Sequence, residues 1–485
     1  MKSRSFLVVS LILAFSLLLV SPASALFLPS TGQAATLVLG QPDFASSASA
    51  STQAGFLGPE GVAVDPTSGK VFVLDTFNSR VLRFKSVSAL TNGAAAEAVL
   101  GQPNFASSDS HLSQDGMHWP DGLVVDASGR LWVADAPNDR VLRFDNAASK
   151  ANGANADAVL GQPDFTQDTF RTTQDGMSQP QGVAVDATGR LWGVDTYNDR
   201  ILRFDNAASK PNGANADGVL GEPDFTSNNA VTTANGVWEP YGVATDSAGR
   251  LWVADIVNDR VLRFDNAAAK PNGADADGVL GEPDFTTKAI QYGTPSGMAD
   301  PTGVALDANG RLYVADSWNN RILVFDSAAS LPNGANANYV LGQTDFVTWS
   351  SNTGGLSAAS LDGPFGLFFD PAARVLWVTD EGNNRVLMYG QPYGTLHILP
   401  FIGLVRLFLP PGVTPIGSIS IQTADGTLHT FDVSPDVRIL PSKSANQLGD
   451  GTFVTVLTRL DESTGNMTVF QIVVHPNGVE PGSVP

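Results

Sequence analysis

The 485-residue chain contains no cysteine. That absence excludes disulfide staples, thiol nucleophiles, thiolate metal sites and attachment to lipid through an N-terminal cysteine. Histidine is scarce as well, limited to His111, His118, His397, His429 and His475. Basic residues are outnumbered, 28 Lys and Arg against 48 Asp and Glu, for a net charge of −20 at pH 7. A surface of that sign repels phosphate backbones and anionic bilayers, so nucleic acid and membrane surfaces are not expected partners. Neither a G-x-S-x-G elbow nor a Walker pattern occurs, so the local signatures of a serine hydrolase and of a phosphate-cradling loop are missing. Stability must therefore come from a packed core, for which 43% hydrophobic content is ample.

Long apolar runs are few. Lys2 and Arg4 precede the run Phe6 to Val20, and Ala23-Ser24-Ala25 follows it. This is the pattern of a secretory signal peptide over residues 1–25, too short for a membrane span, and it places the mature chain outside the cytoplasm. A second apolar stretch, GTLHILPFIGLVRLFLPPG, is broken by His397, Pro400 and Arg406. Those interruptions disfavour a span, and residues 391–414 read as a linker.

What the chain has in abundance is repetition. The motif Asp-x-x-Asn-x-Arg occurs as Asp75/Arg80, Asp135/Arg140, Asp195/Arg200, Asp255/Arg260, Asp316/Arg321 and Asp380/Arg385. Around each copy stand three short β-branched and aromatic segments separated by tight-turn residues, as in GVAVD, RLWGVD and RILRFD. A fourth, such as GVLGEPDF, follows an Ala/Asn/Gly-rich connection. Four antiparallel strands at a period near sixty residues predict a β-propeller blade. The aromatic of the second strand recurs as Phe72, Trp132, Trp192, Trp252, Tyr313 and Trp377, which suits packing between blades. The sixth copy has no fourth strand, whereas an orphan one, TLVLGQPDF, lies at Thr36–Phe44. The economical reading is an all-β, six-bladed propeller over residues 26–390, with the N-terminal strand closing the last blade and removing an open edge.

With these strands in order, the pattern P-x-G-V-A-V-D, G-R-L-W-V-A-D, N-D-R-V-L-R-F resembles the NHL repeat from residue 36 to about 390. The resemblance implies a six-bladed propeller used mainly as a binding and protein-interaction platform. Some members are enzymes, among them lactonases and a peptide-amidating lyase, so fold is implied more sharply than activity. The lyase relatives use a histidine-rich metal centre, and this chain offers only His111 and His118 within the ring. From Pro415 the texture changes to SISIQT, TLHTFDV, VRIL, TFVTVLTRL and MTVFQIVVH, with turns at Ala424-Asp425-Gly426 and Thr464-Gly465-Asn466. Residues 415–485 thus read as a small β-barrel or sandwich domain, and resemble a small β-barrel domain of unknown function in secreted bacterial proteins.

Candidate sites divide into repeated and variable positions. The Asp–Arg pair of every copy reads as a structural staple, a bidentate ion pair bracketing a turn whose Asn takes the left-handed conformation. A unique catalytic centre needs unique residues, so no catalytic residue is assigned. Asp275-Ala276-Asp277-Gly278 resembles half a calcium loop but lacks the first acid and the closing Glu, so a polar turn is the better reading and no cofactor is expected. The variable positions are the two residues after each motif Asp and the residue between Pro and Gly ahead of each first strand. They nominate Glu60, Phe77, Asp121, Gln181, Tyr197, Tyr241, Thr302, Trp318 and Phe365 as one ligand-binding face. The favoured function is a binding propeller for a protein, peptide or glycan. The alternative is a metal-assisted lactonase- or lyase-like enzyme working in the central channel.

Overall fold

The computed structural model describes residues 29–390 throughout, and beyond them the backbone of five strands between 401 and 474. Residues 1–25, read as a signal peptide, lie outside the described residues. Among those described there is no α-helix, and no helix long and apolar enough to cross a membrane.

Residues 29–390 form six four-stranded antiparallel sheets. Blade one comprises Pro59–Val64, Lys70–Asp75, Arg80–Ser86 and Ala98–Leu100. Blade six comprises Pro364–Asp370, Val375–Asp380 and Arg385–Tyr389, and its fourth strand is Leu37–Leu39, paired antiparallel with Arg385–Tyr389 through Leu37↔Met388 and Leu39↔Val386. The ring closes as the displaced strand predicts. The first strands of successive blades, including those of blades six and one, neighbour each other around the axis.

Packing follows from the continuous apolar runs, because each sheet is covered on both faces by its neighbours. Phe72, Leu74 and Val81 of blade one share a core with Leu131, Val133, Leu142 and Phe144 of blade two. Trp132 packs likewise into blade three against Leu191 and Leu202, and Trp377 packs against Val62 and Val73 of blade one. All six second-strand aromatics are buried, in keeping with the packing role expected of them.

The two ends of the ring differ. At one end the connection between third and fourth strands is stitched to the next blade: Arg143 Nη1 donates to Ala208 O at 2.6 Å, and Val159 N–H donates to Asn212 Oδ1 at 3.1 Å. Equivalent bonds recur through Asn152, Asn272 and Asn333, which explains why these loops are near copies. At the other end lie the turns between second and third strands and the long segments leading into each first strand, where the sequence varies.

The C-terminal unit is a closed five-stranded barrel in the order Phe401–Arg406, Ser418–Thr423, Leu428–Leu440, Asn466–Val474, Thr452–Asp461. Its first strand falls inside the stretch read as linker, and the segments TLHTFDV and VRIL form one strand rather than two. The turns at 424–426 and 464–465 lie outside the described residues.

Candidate functional site

The variable end is organised by the staple. Arg200 and Asp195 are fully buried and meet through one contact, Nε to Oδ2 at 2.7 Å. The expected bidentate pairing does not form, because the rest of the fork is used elsewhere: Nη1 donates to Phe225 O at 2.5 Å, and Nη2 to the carbonyls of Thr173 and Gly176 at 2.8 and 3.1 Å. The second carboxylate oxygen accepts the Ser178 N–H at 2.6 Å, and Asn198 Nδ2 donates to both oxygens.

The same correction applies in every other blade. Arg140, Arg260 and Arg321 are each fully buried and touch Asp135, Asp255 and Asp316 through Nε alone, at 2.7 Å. Arg140 turns its two terminal nitrogens to the carbonyls of Phe165, Ser113 and Gly116. Arg260 gives its own to Phe285, Thr233 and Gly236, and Arg321 to Phe346, Thr294 and Gly297. Arg80 and Arg385 meet Asp75 and Asp380 in the same single-contact manner. None of the six is a two-pronged ion pair bracketing its own turn; each guanidinium is a hub that ties the segment before a blade to the segment after it. The physical reason is supply and demand: those carbonyls are wholly or partly buried and need donors, while Asn and a backbone N–H already satisfy the carboxylate.

The motif Asn is a donor in a one-turn 3-10 helix. The left-handed residue is the next one, Asp199 at φ 51° and ψ 43°, with Ser79, Asp139, Asp259, Asn320 and Asn384 in the same region. That left-handed residue clips adjacent blades together. Asp139 Oδ1 accepts the Gln179 N–H at 2.7 Å, Asp199 that of Glu239 at 2.7 Å, Asp259 that of Asp300 at 3.0 Å and Asn384 that of Gly58 at 3.0 Å. Every donor of this clip precedes a proline and has positive φ, which costs nothing at Gly58 and Gly363 but strains Gln179, Glu239 and Asp300, and Trp119 at the matching position of blade two. Burial raises the Asp139, Asp199 and Asp300 carboxyls to about 6.

The two variable residues after the motif Asp have separate destinations. The first turns inward: Thr76 and Thr196 hydroxyls donate to the carbonyls of Pro120 and Pro240 in the next blade, both at 2.9 Å, and Ser317 donates to Pro364 O at 2.5 Å. The second points to solvent. It is aromatic in alternate blades, as Phe77, Tyr197 and Trp318, which are 40%, 54% and 53% exposed.

The residue between Pro and Gly has a third destination, although the Thr302 hydroxyl also bonds Ser317 Oγ at 2.6 Å and donates to Phe365 O at 3.1 Å. In five of the blades the ladder between first and second strands shifts register just there, a bulge that turns the side chain toward the axis. Glu60, Asp121, Gln181, Tyr241, Thr302 and Phe365 converge, one from each blade, on an axial cavity of about 90 Å³. The glycine that follows is required by proximity: a Cβ on Gly242 would stand 2.2 Å from Thr302 O, and one on Gly182 2.1 Å from Tyr241 O. The nine nominated residues thus form two groups, three on the exposed face and six lining the channel mouth.

The cavity is chemically lopsided. Glu60, Asp121 and Gln181 stand together on one side of the cavity, close enough for the two carboxyls to act on each other. Burial, and then the neighbouring Asp121, push the Glu60 carboxyl well above its usual range; burial takes Asp121 up to about 7. Glu381, one of the variable residues after a motif Asp but outside the nominated set, adds to the negative potential, and its own carboxyl is raised by burial and Asp362. From the opposite blade Tyr241 reaches across to Glu60, with Phe365 edge-on against its ring at a centroid distance of 4.9 Å. Its phenol is held protonated by burial and by these carboxyls. Asp277, in the calcium-like turn, pairs with Lys270 at 2.9 Å.

The NHL repeat family matches residues 298–325, and the SMP-30/Gluconolactonase/LRE-like region matches residues 28–156. The ring is a six-bladed propeller, and its residues 298–325 match the NHL repeat. NHL repeat-containing protein 2 of Gallus gallus is 23% identical to this chain over 384 residues, covering 71% of the chain and 48% of that protein. Peptidyl-alpha-hydroxyglycine alpha-amidating lyase 1 of Drosophila melanogaster is 26% identical over 214 residues, covering 42% of the chain and 35% of that protein. The chain spans about half or less of the length of these curated relatives. Among solved structures, a protein of unknown function from Bacteroides thetaiotaomicron aligns with a TM-score of 0.47 at 15% identity, over 73% of this chain and 75% of that one. A gluconolactonase from Xanthomonas campestris aligns with a TM-score of 0.40 at 16% identity, over 70% and 87% of the two chains.

Proposed function

We propose that this NHL propeller is an extracytoplasmic binding platform that takes a protein, peptide or glycan ligand on its variable face. One observation carries the reading. Every large apolar side chain that is exposed among the described residues, from Leu57 and Phe77 through Trp119, Phe170 and Tyr197 to Trp318 and Trp349, lies in the segments of that end; none lies on the stitched end. Drift on free loops would scatter such residues among polar ones, whereas an interface gathers aromatics. A thermal-shift screen of peptides and glycans, followed by oxidative footprinting with the best ligand, tests the proposal. Protection of Trp119, Trp318 and Trp349 is expected; protection confined to residues 146–157 and their counterparts would overturn it.

The axial carboxyls favour a second reading, acid–base chemistry of the kind implied by the lactonase- and lyase-like matches. Glu60 and Asp121 supply carboxyl oxygens, and the buried Oε1 of Gln181 has no hydrogen-bond partner among the described residues, so the three fit a hard divalent cation. Such an ion would polarise a substrate carbonyl. The narrow cavity and the phenol of Tyr241 across it make this reading secondary. Lactone hydrolysis that is abolished by Glu60→Gln would raise it to first place; unchanged hydrolysis, or none in the wild type, would remove it.

A further inference from the structure

Charge is distributed between the two ends as unevenly as apolar surface. In the segments of the variable end, between each fourth strand and the next first strand and in the 3-10 turns, the only Lys or Arg residues are Arg171 and Lys288. Acids there include Asp109, Asp115, Asp168, Glu239, Asp300 and Glu381. The stitched end, by contrast, pairs its charges: Lys70 with Glu97, Arg130 with Asp126, Lys150 with Asp157, Lys210 with Asp217. The net negative charge of the ring is therefore concentrated on the face that also carries the exposed aromatics.

Both basic residues of that face show what it does with a cation. Arg171 is held by Asp175 at 3.2 Å, and Lys288 sits over Trp238 with Nζ 3.7 Å from the ring centroid. An ammonium at that distance lies well inside the range in which the ring quadrupole attracts it. Phe77, Tyr197 and Trp318 offer further exposed aromatic surfaces in alternate blades, around a mouth edged by Glu60, Asp121 and Glu381. Like-charged carboxyls gathered without counter-ions raise the energy of the face by mutual repulsion, and an incoming cation relieves it.

We propose that the variable face docks a Lys- or Arg-rich polypeptide segment, its cationic groups set against Phe77, Tyr197 and Trp318 and drawn in by the carboxylates around the axis. The inference rests on the reading of this face as the binding surface and adds the chemistry of the partner. A glycan would use the same aromatics but gains nothing from the carboxylate excess, and an acidic segment would be repelled.

The test uses the full chain and three probes, an alternating Lys-Ala peptide, an alternating Glu-Ala peptide and the neutral oligosaccharide cellohexaose, measured by titration calorimetry at low and physiological salt. We expect the Lys-Ala peptide alone to bind, with affinity falling as salt rises. Tyr197→Ala/Trp318→Ala should weaken it about tenfold or more without lowering the melting temperature, and Asp275→Asn on the stitched end should leave it unchanged. Binding of the Lys-Ala peptide that both variants retain in full would reflect net charge alone and overturn the inference. Binding of cellohexaose instead, lost in Tyr197→Ala/Trp318→Ala, would overturn the cationic partner and leave the binding face standing. If no probe separates the aromatic variant from the wild type, the face itself fails with the inference.

Discussion

The phenolic oxygen of Tyr241 stands 3.4 Å from Oε2 of Glu60, three blades away on the far side of the ring axis. That is long for an O–H···O bond, and it is the reach of one side chain across the channel. The same Glu60 faces Asp121 with no basic group beside either, so the pair cannot ionise twice without cost. Replacing Glu60 by Gln removes one of the two charges while keeping the shape. The variant should be more stable than wild type at pH 8, because the burial and repulsion that push the Glu60 carboxyl up no longer act on a charge there. At pH 5, where proton uptake by carboxyls raised in this way relieves the repulsion, the difference should be smaller. Chemical denaturation at both pH values decides the matter, and an equal or lower stability of Glu60→Gln at pH 8 would sink the argument.

The wild-type protein should show a related pH profile. Asp139, Asp199 and Asp300 have folded pKa values near 6 and Asp121 near 7, above the ordinary 3.8, all through burial. A carboxyl with a raised folded pKa binds its proton more tightly in the native state, so the stability it contributes is complete below about pH 4 and is lost as pH rises through 6 to 7. Exposed turn carboxylates such as Asp284, lowered to about 2 by bonds from Thr286 and Thr287, act in the opposite sense below pH 4. The melting temperature should therefore peak between about pH 4 and 6 and decline toward pH 8. A profile that is flat or rising from pH 5 to 8 would contradict these assignments.

The staple offers a stability test with a chemical control. Arg200→Ala strands a buried carboxylate and frees three carbonyls, which should cost about 3–5 kcal/mol. Arg200→Lys keeps the charge but cannot fork to four acceptors, so it should recover only a small part. Full recovery by lysine in urea titrations would mean that charge, rather than the hub geometry, is what the blade needs.

Blade count, ring closure and the packing role of the second-strand aromatics were legible in the sequence because they rest on periodicity, which six copies print six times. The variable positions were legible as a set but not as two sites. Sequence places Tyr197 and Tyr241 in similar turn contexts, and only the bulge after Pro240 shows that Tyr241 is turned to the axis while Tyr197 faces solvent. The left-handed position was misplaced by one residue, since Asn198 and Asp199 both tolerate positive φ and composition does not choose between them. Nor does a motif reveal that Arg200, with Arg140, Arg260 and Arg321, spends its fork on carbonyls rather than on a second carboxylate contact. Those acceptors are main-chain carbonyls, so although Phe225 and its counterparts Phe165, Phe285 and Phe346 recur from copy to copy, no side-chain pattern marks their role. Aspartates of the inter-blade clip looked like turn residues, because the N–H they accept belongs to the next repeat.

The same clip predicts a stabilising substitution. Gln179 has φ 49° where blades one and six carry Gly58 and Gly363, and its part in the clip is its backbone N–H, which glycine retains. Relief of about 1–3 kcal/mol of strain outweighs the roughly 0.4–1 kcal/mol that glycine adds to the entropy of the unfolded chain. Gln179→Gly should raise the melting temperature by a few degrees. A lowered midpoint would show that the left-handed glutamine is supported by contacts of its own side chain.

Ring closure can be tested by comparing two seams within one molecule. Asn384 accepts the Gly58 N–H at 3.0 Å and donates to Ser47 O at 3.1 Å; Asn320 accepts the Gly363 N–H at 2.8 Å and donates to Trp349 O at 3.0 Å. The first clip joins blade six to blade one, the second blade five to blade six, and the chemistry is the same. If the ends of the ring are joined as firmly as its consecutive blades, Asn384→Ala and Asn320→Ala should each cost about 1–2 kcal/mol and differ by less than about 0.5 kcal/mol. Deleting residues 29–45 is the severe version. It removes Leu37–Leu39 from the sheet, takes Phe44 O from Arg385 Nη1 at 2.7 Å, and bares the edge of Arg385–Tyr389. Such a chain should lose its single cooperative transition and self-associate through the open edge. Equal costs for the two asparagine variants together with collapse of the deletion variant would establish a closed ring in solution. A silent Asn384→Ala beside a destabilising Asn320→Ala would mean that the N-terminal strand leaves the sheet without disturbing the other blades.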